Sequence, residues 1–200
     1  MQTEPSFSEQ QSIQLIESMI NKARNQFNEN GHLYLLWGWV ILVCSIGQFV
    51  LSELLHNNKS YLVWMVTWLA VIYQLIYLAR RKKNRKVRTY TEGILGGVWL
   101  SFVITMILFA FSLGNVQGVN ANKIFNSFLL ALYGVPTFLS GLILRFRPLI
   151  IGGICCWCLS VLAPFVPVPY QVLLLGVAVI VAWIIPGYLL RKKYNEVNFE

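Results

Sequence analysis

The chain has 200 residues, of which 56% are hydrophobic and 12% are charged, and its formal net charge is +8. A globular protein carries about a quarter of its residues as charged groups, so this chain has too few polar side chains to cover its surface in water. Its excess of Lys and Arg does not indicate a nucleic-acid-binding protein. Such a protein would carry these residues along one face, interleaved with stacking aromatic residues, whereas here they all lie between the long apolar runs.

Residues 1–31 are predicted to form an amphipathic helix on the cytoplasmic side. Ser8 and Gln11 have the spacing of a capping box, and Asn30-Gly31 is a typical helix stop. Between these signals an apolar stripe recurs at helical spacing: Ile13, Ile16, Met19, Ile20, Ala23 and Phe27. A membrane-surface helix would be rich in Lys and Arg, and this one is not. We therefore expect the stripe to pack on the inner face of the protein, on a second copy or on a partner.

Six apolar runs follow, each close to the roughly 20 residues that a helix needs to cross a bilayer. They cover residues 33–55, 61–79, 93–114, 124–144, 149–166 and 170–190. The runs are apolar on all sides and do not alternate as barrel strands do. The sequence thus predicts an all-α membrane protein, with six transmembrane helices over residues 32–190 and a cytoplasmic tail over 191–200. Because the first dozen residues are polar and the first apolar run is long enough to span, we expect no cleavable signal peptide.

The basic residues predict how the six spans are oriented. Fourteen of the sixteen Lys and Arg fall on one side of the spans, and Lys59 and Lys123 alone fall on the other. The richer side should face the cytoplasm, together with both termini. Half of the fourteen lie in one loop, at Arg80, Arg81, Lys82, Lys83, Arg85, Lys86 and Arg88. This loop can set the topology, attract anionic lipid, or do both.

Short connections on the outer side predict that the spans form three antiparallel hairpins. Helix-breaking residues lie in two of the spans, at Gly134 and Pro136 in the fourth and at Pro186-Gly187 in the sixth. Broken helices build substrate sites in some transporters, but prolines are also common in ordinary membrane helices. No ion-binding residue is close to either position in the sequence, so we interpret both as kinks.

Glycine pairs occur at the inner ends of two spans. Gly93 and Gly97 have the G-x-x-x-G spacing, and Gly152-Gly153 opens the fifth span. Small residues at such positions let two helix backbones approach closely. We expect close contacts between helices of this chain at both places, with a dimer face as the alternative for the Gly93 and Gly97 pair.

Cys155 and Cys158 have the C-x-x-C spacing that supports thiol–disulfide exchange. A membrane thiol oxidoreductase also needs a second cysteine pair near the surface, and besides Cys156 the chain has only Cys44, inside the first span. The simpler interpretation is that these cysteines are small apolar residues in packed helices. The compartment cannot be read from them.

Gln48 and Gln74 lie near the middle of the first and second spans. A buried amide in lipid needs a partner, and we expect these two to hydrogen-bond to each other across the first hairpin. The alternative is that they line a path for a small neutral solute. Glu53, at the outer end of the first span, is expected to reach the interface.

Several enzyme and metal-binding classes are excluded by missing residues. The chain has no Asp, and it contains no H-E-x-x-H motif, phosphate loop or nucleotide fingerprint. His32 and His56 lie at opposite ends of one span, about 36 Å apart along a helix, and cannot bind one metal together. We therefore predict no catalytic residue, no metal site and no cofactor.

Ile16-Glu17-Ser18-Met19-Ile20, followed by Leu35-Leu36-Trp37-Gly38-Trp39, resembles a class of uncharacterised small bacterial multipass inner-membrane proteins. The likeness covers mainly the first fifty residues. It implies a bacterial inner-membrane location, and it supplies no activity and no functional residues.

These observations favour a non-enzymatic membrane protein that acts in interaction, regulation or assembly. A carrier or channel for a small neutral solute, lined by Gln48 and Gln74, is the alternative. A thiol–disulfide oxidoreductase that uses Cys155 and Cys158 is a second alternative. Lipid is the expected environment, and self-association or a protein partner is expected at the N-terminal stripe.

Overall fold

A computed structural model describes residues 13–14, 31–56, 59–84, 90–114 and 120–199. Every regular element in these residues is helical. The helices are α1 (His32–Phe49), α2 (Val66–Asn84), α3 (Tyr90–Gly114), α4 (Asn120–Ile143), α5 (Arg147–Leu162), α6 (Val168–Val179) and α7 (Ile185–Phe199). The predicted N-terminal stripe lies outside the described residues except for Ile13, which is helical and 57% exposed.

Four short helical turns of 3-10 or π geometry adjoin these helices. A π-helical turn, Val50–Leu54, continues α1, and a 3-10 turn, Ser60–Met65, leads into α2. A second 3-10 turn, Ala163–Phe165, ends α5. The π-helical turn Ile180–Ile184 joins α6 to α7, so these two run on as one helix, the α6–α7 helix.

Six of the resulting helices are long and apolar enough to cross a membrane. They are His32–Leu54, Ser60–Arg81, Thr91–Leu113, Ile124–Ile143, Arg147–Phe165 and Val168–Glu196. Each overlaps one of the six apolar runs of the sequence. The described structure is therefore all-α, with the number of long apolar helices that the sequence predicts.

The prolines inside two of these helices do not break them. Helix α4 passes through Pro136 without interruption. Before Pro186 the chain widens into the π-helical turn, which is one way for a helix to accommodate a residue that has no N–H and whose ring crowds the preceding turn. Both helices remain continuous, so neither offers the separated half-helices of a transporter site.

The packing core is built from α1, α4, α5 and the α6–α7 helix. Among the described residues the most extensive contacts join α4 to α5 and α1 to α6. The pairs α1–α2 and α3–α4, which follow each other in the chain, also touch but less extensively. Helices α2 and α3 lie at the periphery, because only 6% of the residues in the most apolar segment of each are buried.

A cluster of aromatic side chains connects three of the core helices to α3. The ring of Trp183 lies 4.8 Å from that of Tyr133 and 5.8 Å from that of Trp99, between ring centroids. Trp99 in turn meets Tyr34 edge to face at 5.8 Å. These separations are typical of favourable aromatic pairs. The cluster therefore joins α1, α3, α4 and the π-helical turn.

Glycine permits the closest helix approaches in the core. A Cβ added to Gly152 would lie 2.6 Å from the Cα of Ala182, and one added to Gly153 would lie 2.7 Å from the Cβ of Phe138. These adjacent residues let α5 approach the α6–α7 helix and α4 at the same time. The close contact expected for Gly152-Gly153 is present.

The Gly93 and Gly97 pair behaves differently. No described atom lies within 4 Å of a Cβ added at Gly93, Gly96 or Gly97. The close contact expected for this pair is not made with any described residue, because α3 is peripheral and no described helix covers its glycines. The same residue type is used for packing on α5 and left uncovered on α3.

We predict opposite effects for alanine at two of these glycines. Gly152→Ala should lower the unfolding free energy by about 1–3 kcal/mol, because the new methyl group meets backbone that cannot rotate away. Gly93→Ala should raise it by about 0.5–1 kcal/mol, because alanine favours the helix and has room. Denaturant unfolding of the detergent-solubilised protein measures both, and a stabilising Gly152→Ala would contradict this packing.

Candidate functional site

The cysteines sit in regular helix and are all free thiols. Cys155 is half-buried, Cys156 is buried and Cys158 is exposed on the outer surface of α5. Cys155 lies eight residues after the start of α5 at Arg147, beyond the first turn in which a helix N-terminus stabilises a thiolate. Cys44 is buried on α1, with its Sγ 3.6 Å from the carbonyl oxygen of Val63. The arrangement brings no second thiol pair to Cys155 and Cys158.

Gln48 and Gln74 each bond to a tryptophan on the facing helix. The indole Nε1 of Trp64 donates to Gln48 Oε1 at 2.6 Å, and that of Trp37 donates to Gln74 Oε1 at 2.5 Å. Trp37 and Gln48 are eleven residues apart on α1, which is about 16 Å along a helix. The prediction of a bond between the two glutamines is therefore wrong, because the two tryptophan bonds place Gln48 and Gln74 toward opposite ends of the α1–α2 contact.

These two bonds also bear on the solute-path interpretation. Both amide oxygens are occupied by interhelical hydrogen bonds, and both side chains are only half-buried at the edge of the core. The bonds hold α2 against α1. They do not form a polar lining between the core helices.

The largest polar side chain that is fully buried among the described residues is Gln171, at the start of α6. Its side chain has no exposed surface. Its Nε2 donates to the carbonyl oxygens of Ala163 and Val166, at 2.9 Å each. Its Oε1 accepts from Asn126 Nδ2 at 3.2 Å. One side chain thus bonds the start of α6 to the end of α5 and to α4.

Sequence reasoning missed this network. Both residues stand at the outer ends of predicted spans, Asn126 in the fourth and Gln171 in the sixth. The sequence feature that could have indicated it is that each residue is a single amide near the end of an apolar run, next to a short outer turn. The sequence does not show that the two ends meet.

Other buried hydroxyl groups bond to backbone or to tryptophan. Ser45 donates to the carbonyl oxygen of Val172 on α6, and Thr137 Oγ1 accepts from Trp183 Nε1 at 2.8 Å. Among the described residues, the single buried side-chain polar atom with no partner is Ser140 Oγ. Nearly complete satisfaction of buried polar groups is expected of a well-packed protein.

The exposed hydroxyl groups of α3 bond to their own helix. Ser101 donates to the carbonyl oxygen of Gly97 at 2.9 Å, Thr105 to that of Ser101 at 2.8 Å, and Ser112 to that of Leu108 at 2.9 Å. This pattern satisfies a hydroxyl group without water. These three hydroxyl groups on an otherwise apolar surface therefore need no solvent partner.

A groove runs between α3 and α4 on the outside of the bundle. Its volume is about 320 Å³. It is lined mainly by small and apolar residues: Gly97, Val98, Ser101, Phe102 and Thr105 of α3, and Leu132, Val135, Pro136 and Leu139 of α4. Ser101, Thr105, Val135 and Leu139 are exposed, so the groove is open to the surroundings along one side.

The charged residues of the described chain lie at the ends of the helices. Arg81 pairs with Glu92 at 3.4 Å, and Lys192 pairs with Glu196 at 4.0 Å. Most of the basic loop around Lys83 lies outside the residues whose side chains are described. His32 Nε2 is 3.0 Å from the Tyr73 hydroxyl group. The described residues contain no group of three metal-ligating side chains.

Comparison of the chain with models of protein families, with curated proteins and with solved structures gives no match.

We predict that the Gln171 network is the most sensitive polar contact of the fold. Gln171→Leu should lower the unfolding free energy by about 2–4 kcal/mol, because it removes the bonds to Asn126 and to the Val166 carbonyl group and leaves the Ala163 carbonyl group with the Val166 N–H as its donor. The matched change Gln48→Leu removes one half-buried bond and should cost about 1 kcal/mol. Denaturant titration of the two variants in one detergent measures the difference, and equal losses would refute the assigned role of Gln171.

Proposed function

We propose that the chain is an integral protein of a bacterial inner membrane, with six spans in three hairpins and both termini in the cytoplasm. The six long apolar helices support insertion. The one-sided distribution of Lys and Arg supports the orientation. The bilayer accounts for the exposed apolar faces of α2 and α3, which would be an aggregation hazard in water.

Within that membrane the protein acts as a non-enzymatic interaction or assembly component, which binds a transmembrane helix of a partner. The observation that carries this proposal is the uncovered glycine face of α3. No described atom lies within 4 Å of a Cβ added at Gly93 or Gly97, and the groove beside Gly97 is open along one side.

Glycine on an exposed helix face lowers the stability of the helix without compensation unless another helix packs against it. It destabilises a helix by roughly 1 kcal/mol relative to alanine. Inside this chain Gly38, Gly141, Gly152 and Gly153 are covered by close neighbours. A partner helix that crosses α3 at Gly97 would pack closely against these glycines, as the helices of this chain do at Gly152 and Gly153. Small residues spaced by four favour such close crossing of membrane helices.

The N-terminal stripe provides the second proposed contact, on the cytoplasmic side. Its apolar residues, such as Ile16 and Ile20, need a surface to cover them, and the segment carries too few basic residues to bind lipid by charge. A partner that engages both α3 and this helix would be held at two places.

The test is in-membrane cross-linking from a photoreactive residue at position 101, in the groove. We expect a defined cross-linked protein that Gly97→Leu abolishes by filling the crossing point. Gly96→Leu is the matched control: it adds the same side chain one residue away, outside the groove lining, and should leave the cross-link intact. Ile16→Asp with Ile20→Asp should weaken the same product.

Mass analysis identifies whether the cross-linked protein is a second copy or a different chain. A cross-link that survives Gly97→Leu, or one to lipid alone, would refute the interaction proposal.

A further inference from the structure

The turn between α4 and α5 contains an arginine where the backbone favours glycine. The N–H of Phe146 donates to the carbonyl oxygen of Gly141 at 2.8 Å, and the N–H of Arg145 donates to that of Leu142 at 3.2 Å. These two bonds define a Schellman motif, whose left-handed position is usually glycine. Arg145 occupies it with φ of 50°. A residue other than glycine is unfavourable in this conformation, which indicates that the side chain of Arg145 has a role of its own.

A second arginine lies two residues on. Phe146 has an extended backbone and a buried side chain, whereas Arg145 and Arg147 are both exposed. The two arginines therefore lie on the surface of one turn, and the side chain of Phe146 between them anchors that turn in the core. Lys193 Nζ lies 5.9 Å from the Phe146 ring centroid, which brings a third cation to the same turn.

Acidic side chains do not neutralise this arginine pair within the described part of the chain. The two described carboxylates at this end of the bundle are Glu92, paired with Arg81, and Glu196, paired with Lys192. The first turn of α5 also contains no acidic residue. The partial positive charge of a helix start therefore adds to that of the arginines.

We propose that Arg145 and Arg147, with Lys193 near the same turn, bind the phosphate group of an anionic phospholipid. Two guanidinium groups offer paired N–H donors that match phosphate oxygens. Leu142 and Ile151, which flank the turn on α4 and α5, are exposed apolar residues along which acyl chains can lie. This placement of apolar surface next to the cations favours a lipid over free phosphate. The proposal rests on the membrane location proposed above.

A purely topological role for these arginines makes a different prediction. Retention of a loop in the cytoplasm depends on positive charge, so lysine serves as well as arginine. Phosphate binding by paired N–H donors depends on the guanidinium group, and lysine replaces it poorly. Glycine at position 145 would also relieve the backbone while it removes the binding group.

The experiment reconstitutes the full chain in nanodiscs of phosphatidylcholine with a minor share of phosphatidylglycerol, and measures retained phosphatidylglycerol by native mass spectrometry. Arg145→Gly and Arg147→Gln should each weaken retention about fivefold. Arg145→Lys should also lose most of it. Arg191→Gln, which removes an exposed charge at the same end of the bundle, is the control and should retain near-normal binding.

Thermal unfolding separates lost binding from lost folding. Arg145→Gly should raise the Tm by about 2–4 °C, because glycine suits the left-handed position. Retention that falls equally in Arg191→Gln, that is unchanged in Arg145→Gly, or that survives in Arg145→Lys would overturn the proposal. Protection by inorganic phosphate equal to that by phosphatidylglycerol would overturn the lipid assignment. A wild-type chain that leaves the membrane fraction on alkaline extraction would instead refute the membrane location.

Discussion

The amide of Gln171 donates to two carbonyl groups at the end of α5 and accepts from Asn126 on α4, with no surface left exposed. Polar groups that have no water must find their partners inside the protein, and this requirement organises the rest of the bundle. The tryptophan–glutamine bonds attach α2 to α1 in the same way. On α3 the exposed hydroxyl groups bond to their own backbone. Each solution suits a helix surrounded by lipid.

Steric fit at glycine is the second organising factor. Apolar contact alone does not distinguish helix from helix in a bilayer, because lipid tails are as apolar as leucine. Close approach does, and α5 achieves it against two neighbours through Gly152 and Gly153. Where no described residue covers the glycines, as on α3, the backbone has free space beside it, and the proposed partner helix would fill that space. The proposed function follows from this contrast.

The sequence predicts the helices well and their partners poorly. Length and apolarity predict α4 and α5 to within a few residues, because crossing a bilayer imposes a length. A run that is apolar on all sides does not reveal which face is buried. Gly93 with Gly97 and Gly152-Gly153 therefore look alike in sequence and differ in the structure. The glutamine pairing failed for a related reason: similar depth was assumed for Gln48 and Gln74, and the register of α1 against α2 depends on packing.

The central claim is that the chain crosses a membrane six times with its basic side in the cytoplasm. The most direct measurement places a reporter that is active only after export either after Asn57, in the first outer connection, or after Glu200. The account predicts activity at the first position and none at the second, with the opposite result for a reporter that is active only in the cytoplasm. Export of the C-terminus would contradict it, because an odd number of spans would then be required.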